Sequence, residues 1–139
     1  MKRYFLEVMY EGTAFHGSQL QHELPTVQLA LNAALATLLR EPVHTFGASR
    51  TDEGVHALCN FYHFDTEKEL PPTFRYKMNA LLPPGIALNR VFLAEDPEAN
   101  ARFSAASRQY RYRIYTFKDP FRLRRAMYHP FRIDWTLLE

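Results

Sequence analysis

The sequence predicts an α+β protein, with a largely antiparallel sheet that carries helices on one face. The first observation is a period-two pattern in residues 3–10, where Tyr4, Leu6, Val8 and Tyr10 alternate with other side chains, as in a strand with one buried face. The second is the helical spacing of apolar residues from 27 to 39. The third is the order of the elements, because several predicted strands follow one another around only two helices.

The remaining elements follow from start and stop signals along the chain. The first helix begins after Thr26, whose hydroxyl can cap it, and ends before Pro42. A second helix, at 73–82, follows a Pro-Pro pair and ends at the Pro-Pro-Gly of 83–85. Runs rich in β-branched and aromatic residues predict further strands at 43–48, 58–64, 86–93 and 109–117. We expect the sheet face without helices to be free for a ligand.

Length and composition predict one domain, residues 1–139. With 47% hydrophobic residues, the chain can bury a real core but is too short for two domains. It has no apolar run of the roughly 18 residues that span a membrane, and Glu7 comes too early for a secretory signal, so we expect a soluble, cytoplasmic protein. The single cysteine, Cys59, lies in an apolar run and is predicted to be a small core residue.

Positive charge is concentrated near the end of the chain. Residues 102–132 contain nine Arg and Lys against one acid, Asp119, whereas residues 1–101 contain eight basic residues and twelve acids. Eight Phe and Tyr side chains lie among these basic residues. Arginine neutralises phosphate and aromatic rings stack on bases, so this segment favours a nucleic-acid partner over an ordinary solvated strand.

Residues 46–58 predict a functional loop between two strands. Asp52 follows Arg50 by two residues, and Gly47 and Gly54 allow sharp backbone turns on either side. A guanidinium this close would keep the Asp52 carboxylate ionised. An ionised, oriented carboxylate can act as a nucleophile or a base.

Other chemistries fit this loop poorly. Asp52 and Glu53 are neighbours in sequence, whereas a glycosidase needs two carboxylates that converge across the substrate. A metal site could be imagined at His56 with His63 and Asp65, but no predicted helix gives the i, i+4 geometry and no clustered third ligand follows. A Ser49, His56, Asp52 triad would crowd three side chains into one turn, and the chain has no glycine-rich nucleotide motif.

Four segments in order along the chain resemble the tRNA pseudouridine synthase A family. The loop sequence RTDEGVHA at 50–57 is similar to the family signature Arg-Thr-Asp-x-Gly-Val-His-Ala. The other three matches are YEGTAFHG at 10–17 followed by QLQ at 19–21, NALLPPGI at 79–86, and ARFSA at 101–105 followed by RQYRY at 108–112. The resemblance implies an enzyme that isomerises uridine to pseudouridine in tRNA, typically in the anticodon stem-loop, without metal or cofactor.

The same resemblance implies roles for individual residues. Asp52 would be the catalytic aspartate, Arg50 its ion-pair partner and guide for base flipping, and Tyr110 the ring that packs on the target base. Extruding a nucleotide costs a few kcal/mol. Stacking on Tyr110 would offset this cost, together with phosphate contacts from Arg50 and from residues 108–132, Arg108 and Arg111 among them. In an extended 109–115 segment, Tyr112 would share the face of Tyr110, with core packing as its simplest role.

The resemblance covers only half of the family's architecture. Family enzymes have two similar α/β halves and are often homodimers, so it implies a ferredoxin-like or RRM-like N-terminal half that lacks its C-terminal half and is inactive alone. The chain also departs from the family pattern at Ser18, Ser49 and Glu53. Two other classes stay open: a non-catalytic RNA-binding module, for which Asp52 has no use because a carboxylate repels phosphates, and a protein-interaction domain.

Overall fold

The computed structural model describes residues 1–138 and confirms the α+β prediction. Residues 1–106 form one compact unit, and a second unit begins at Ser107. That residues 1–139 are a single domain stays a prediction. The first unit contains a four-stranded antiparallel sheet, in the order β2-β3-β1-β4, and two helices. Its elements in chain order are β1 (Lys2–Tyr10), α1 (Val27–Leu39), β2 (Phe46–Gly47), β3 (Ala57–Thr66), α2 (Phe74–Leu81) and β4 (Ile86–Leu93).

The core lies between one face of this sheet and the two helices. The four alternating residues of β1 are all buried, as the period-two pattern predicts. They pack in one cluster with Tyr62 and Phe64 of β3 and with Met78 of α2. Both helices therefore cover the same face, and the bounds predicted for α2 and β4 agree with the structure to within one residue.

The first helix is held at its start by Thr26, as predicted. The Thr26 hydroxyl accepts the backbone N–H of Leu29 at 3.2 Å, and Arg40 ends the helix in the left-handed conformation. Val27, Leu31 and Leu35 are fully buried. The apolar stripe read from the sequence is thus the stripe that faces the sheet.

The predicted strand at 43–48 is reduced to the two residues of β2 because helix side chains bind the preceding backbone. Asn32 accepts hydrogen bonds from the backbone N–H and the hydroxyl of Thr45, at 3.0 and 2.8 Å. The Gln28 amide donates to the Thr45 carbonyl. These bonds satisfy the backbone without a neighbouring strand.

The opposite face of the sheet is only partly free. Arg3 makes two 2.8 Å hydrogen bonds to Asp65 and donates to the Ala99 carbonyl at 3.1 Å, while the Ala101 N–H donates to Nδ1 of His63 at 3.1 Å. His63 is only 2% exposed as a result. The segment around residues 99–101 therefore covers one end of this face.

Cys59 lies on this opposite face and is exposed, so its prediction as a core residue is wrong. Alternation along β3 turns Asn60 and Tyr62 toward the interior, and Cys59 consequently points away from it. Although the residue is exposed, partial desolvation of its thiol raises the thiol's pKa, and so does the Glu7 carboxylate, while Arg90 opposes the shift.

The second unit has little regular structure. The strand predicted at 109–117 is limited to β5 (Ile114–Tyr115), which pairs in parallel with β6 (Met127–Tyr128). Tyr112 is 89% exposed, so the core role predicted for it is wrong. Among residues 1–138, no helix is long and apolar enough to cross a membrane.

Candidate active site

Asp52 lies in a loop that leaves the sheet after β2 and returns at β3. The Ala48 N–H makes a 2.7 Å bond to the Phe61 carbonyl, after which the chain departs. A turn then closes through a 3.2 Å bond from the Val55 N–H to the Asp52 carbonyl, and Gly54 in this turn has φ of +77°. This confirms the turn predicted at Gly54.

Gly47 does not turn the backbone. It lies in β2, and a Cβ there would come within 2.8 Å of the Tyr62 ring. Position 47 thus needs a small residue because the Tyr62 ring leaves no space for a side chain, and not because the backbone has a positive φ.

Three buried polar side chains lie beneath the start of the loop, at Tyr10, Ser18 and Asn60. The Tyr10 hydroxyl lies 2.7 Å from that of Thr51, and the Asn60 amide donates to the Ser49 carbonyl at 3.3 Å and to the Tyr10 oxygen at 3.2 Å. Buried polar groups that are all paired in this way fix one geometry, so the loop is anchored on the side that faces the protein.

A second anchor holds the far end of the loop. The Gly12 N–H donates to Nδ1 of His56 at 2.8 Å, and a Cβ on Gly12 would lie only 2.0 Å from the Val55 carbonyl oxygen. His56 is thus a structural ligand of the turn that follows β1. Sequence reasoning missed this contact, because Gly12 and His56 are 44 residues apart and no local pattern links them.

The exposed side of the loop forms one wall of an open cleft of about 210 Å³. Residues 50–53 supply this wall, and His16, Gln19, Gln21 and Leu24 supply the other. The Asp52 side chain faces solvent at this cleft, as does that of Arg50. A carboxylate, a guanidinium and two amides around a solvent-filled space can bind a polar ring and give it a nucleophile or base.

Arg50 and Asp52 share this cleft but do not touch. Within residues 1–138, no salt bridge of 4.0 Å or less joins their charged groups, and both side chains are exposed. Because both charged groups are exposed, water screens their attraction. The adjacent Glu53 instead lies 3.4 Å from Nδ1 of His16 across the cleft.

The other predicted site residues, Arg108, Tyr110 and Arg111, belong to the second unit. Tyr110 is 57% exposed and precedes β5. The same unit contains an open groove of about 580 Å³ lined by three arginines and three aromatic rings; its lining includes Tyr112, Arg113, Phe121, Arg122, Arg125 and Trp135. The structure thus brings Arg50 and Asp52 together in one unit and gathers basic and aromatic side chains in the other.

Several curated relatives of the chain have the same name. A protein of Bacteroides thetaiotaomicron is 47% identical over 122 residues, which are 87% of this chain and 45% of the relative. One of Parabacteroides distasonis is 43% identical over 137 residues, covering 97% of this chain and 54% of the relative. Both are named tRNA pseudouridine synthase A. The chain is homologous to tRNA pseudouridine synthase A.

The similarity extends to relatives of lower identity. A tRNA pseudouridine synthase A of Staphylococcus aureus is 34% identical over 135 residues, 95% of this chain and 50% of the relative. Matches of this length include the Asp52 loop and most of the second unit. The chain spans about half the length of the curated relatives it matches. No protein-family model matches it.

Proposed function

We propose that this chain is the N-terminal half of a tRNA pseudouridine synthase and that Asp52 is its catalytic nucleophile or base. The observation that carries the proposal is the exposed Asp52 carboxylate, held in an anchored loop at a cleft that it shares with Arg50. The names of the homologous proteins supply the reaction and the substrate class.

The reaction needs few groups. The N1–C1′ bond of uridine breaks, the uracil rotates, and a C5–C1′ bond forms; C5 loses its hydrogen and N1 gains one, so no external reactant is consumed. Asp52 can attack C1′, add to the ring at C6 or remove a sugar proton, and each of these steps requires its ionised form. The polar walls of the cleft suit a detached uracil, which offers two carbonyl oxygens and an N–H.

Binding of tRNA is assigned to both units. Arg50 would hold the opened strand and guide the flipped base, Tyr110 would stack on that base, and Arg108 and Arg111 would bind phosphates. We propose a uridine of the anticodon stem-loop as the target, cytoplasmic tRNA as the partner and a homodimer as the assembly of the full-length protein. A binding module would gain nothing from Asp52, whose charge repels phosphate.

The test uses the chain joined at its C-terminus to the part of the Parabacteroides distasonis relative that follows the match. Tritium release from tRNA carrying [5-³H]uridine is measured for this hybrid, for its Asp52→Asn variant and for a matched Glu53→Gln variant. Asp52→Asn should abolish release, whereas Glu53→Gln removes a neighbouring carboxylate and should retain it within about tenfold. Equal tritium release by the hybrid and by its Asp52→Asn variant would overturn the proposal. So would the absence of release from the hybrid when the Parabacteroides distasonis protein itself is active.

The chain alone should bind tRNA weakly and release no tritium, because the proposed second half of the cleft is missing. Measurable pseudouridine formation by residues 1–139 alone would contradict this part of the proposal. A protein-interaction domain would show no salt-dependent affinity for tRNA. Measuring the binding of tRNA to the chain at two salt concentrations therefore excludes or supports that class.

A further inference from the structure

Ser18 contacts the backbone on both sides of Arg50. Its hydroxyl oxygen accepts the Thr51 N–H at 2.7 Å and donates its hydrogen toward the Ser49 carbonyl at 3.3 Å. Its own backbone N–H donates to the Thr51 carbonyl at 2.9 Å. Three hydrogen bonds from one residue, 1% exposed, thus hold the two peptide units that flank Arg50 and the next one, which leads into Asp52.

Ser18 is itself fixed to a rigid element. Its carbonyl accepts the Gln28 N–H at 3.0 Å, in the first turn of α1, and the carbonyl of the preceding Gly17 accepts the Val27 N–H at 3.3 Å. Gln19, the next residue, lines the cleft wall opposite Asp52. Ser18 therefore connects the start of a buried helix with both walls of the cleft.

We propose that Ser18 is a positioning residue, which sets the directions in which Arg50 and Asp52 enter the cleft. This inference rests on the proposed function of Asp52. Side-chain direction follows backbone direction, and a displacement of about 1 Å at a reacting group can cost about 100-fold in rate. Without the Ser18 hydroxyl, the Ser49 carbonyl keeps its bond from Asn60, but the hydroxyl that accepts the Thr51 N–H is gone.

A matched control variant distinguishes the positioning role of Ser18 from a purely structural one. Thr66 is also a buried hydroxyl, 3% exposed, which accepts the Lys68 N–H at 3.2 Å and donates to Glu41 at 2.6 Å. It lies at the end of β3, whereas the Asp52 loop enters β3 at its beginning. Thr66→Val and Ser18→Ala therefore remove comparable buried hydrogen bonds, only one of which holds the loop.

The first measurement is amide hydrogen exchange on the 139-residue chain. Ser18→Ala should speed exchange at the Thr51 amide about tenfold or more relative to amides of β1, and Thr66→Val should leave Thr51 unchanged. Should Ser18→Ala fail to fold, Ser18→Cys keeps a similar volume with a weaker hydrogen-bonding group and should give a smaller increase. Thr51 exchange within twofold of wild type in the folded variant would overturn the anchoring role.

The second measurement is turnover by the hybrid enzyme described above. Ser18→Ala should lower kcat about tenfold or more with KM within about threefold, Ser18→Cys should fall between it and wild type, and Thr66→Val should keep kcat. Unchanged kcat in Ser18→Ala, beside an inactive Asp52→Asn, would overturn positioning and leave the proposed function standing. Full activity of Asp52→Asn would instead overturn the proposed function, while the exchange result would still decide whether Ser18 anchors the loop.

Discussion

The backbone N–H of Gly12 donates a 2.8 Å hydrogen bond to Nδ1 of His56, and this bond joins the turn after β1 to the far end of the Asp52 loop. A ring nitrogen that accepts such a bond carries no hydrogen, so in the neutral ring the hydrogen is on Nε2. Gly12 and Val55 also pack so closely that no side chain fits between them, so this contact requires glycine at position 12.

Two substitutions of His56 should separate the role of Nδ1 from that of the ring. Asparagine places its amide oxygen near the position of Nδ1 and can still accept the Gly12 N–H, whereas glutamine reaches toward the position of Nε2. We expect His56→Gln to lose about 1–3 kcal/mol of unfolding free energy, the cost of a buried N–H without a partner, and His56→Asn to lose about 1 kcal/mol less. Urea denaturation of the whole chain measures both, and equal losses would contradict the assignment.

Substitution of Gly12 should destabilise the chain through close contact. In Gly12→Ala the new Cβ must avoid a carbonyl oxygen 2.0 Å away, which requires the turn or the loop to move, at a cost of about 2–4 kcal/mol. Gly54→Ala is the matched control: its Cβ would meet nothing within 4 Å, and only the positive φ opposes it, at about 1–2 kcal/mol. A smaller loss for Gly12→Ala than for Gly54→Ala, in the same denaturation experiment, would count against this contact.

His63 should make stability depend on pH. Burial, and secondarily the charge of Arg3, lower the pKa of this imidazole, while Asp65 opposes them. Because the unfolded chain then binds a proton more readily, the contribution of His63 is complete above its ordinary pKa of about 6.5 and is lost as pH falls below it, with a slope of up to about 1.4 kcal/mol per pH unit.

The measurement is unfolding free energy against pH between 5 and 8, in wild type and in His63→Asn. Asparagine can still accept the Ala101 N–H but does not titrate, so its profile should be flatter over this range. Parallel profiles for the two proteins would assign the pH dependence to other groups.

The outer edge of β4 should depend on one side chain of α2. Asn79 accepts the Leu88 N–H at 2.8 Å and donates to the Leu88 carbonyl at 2.9 Å, so both backbone groups of Leu88 are paired with this side chain. Asn79→Leu should cost about 2 kcal/mol and, by opening a strand edge, should increase self-association. Sedimentation velocity tests the second effect, with Asn89→Leu as a control on the same edge; identical sedimentation of the two variants would refute it.

Residues 1–93 show how far local patterns predict this fold. Strand β1, helix α1, helix α2 and strand β4 each have a regular apolar repeat with a cap or breaker at an end, and each was predicted within one or two residues. Strand β2 was predicted too long because Asn32 and Gln28 lie on the otherwise apolar face of α1, and their partner, Thr45, is distant in sequence. A propensity for strand carries no information about such a competing partner.

The candidate site also has one part that the sequence predicts and one part that it does not. The Asp52 motif and the turn at Gly54 could be read from the sequence, because both depend on residues next to one another. The buried support from Tyr10, Ser18 and Asn60 could not, since these residues come from three separate segments. Cys59 and Tyr112 were wrongly predicted to be core residues for a related reason. Apolar neighbours in sequence do not determine which face of a strand, or which part of a short segment, is buried by the rest of the chain.

By itself, the sequence determined the α+β class and the segregation of basic and aromatic residues after position 102, and it singled out Asp52 as the candidate reactive group. Only the tertiary structure decided what holds that group, because hydrogen bonds between distant segments depend on the sheet register and on helix packing. Ser18, a departure from the family pattern in the sequence, is a buried ligand of the Asp52 loop in the folded chain.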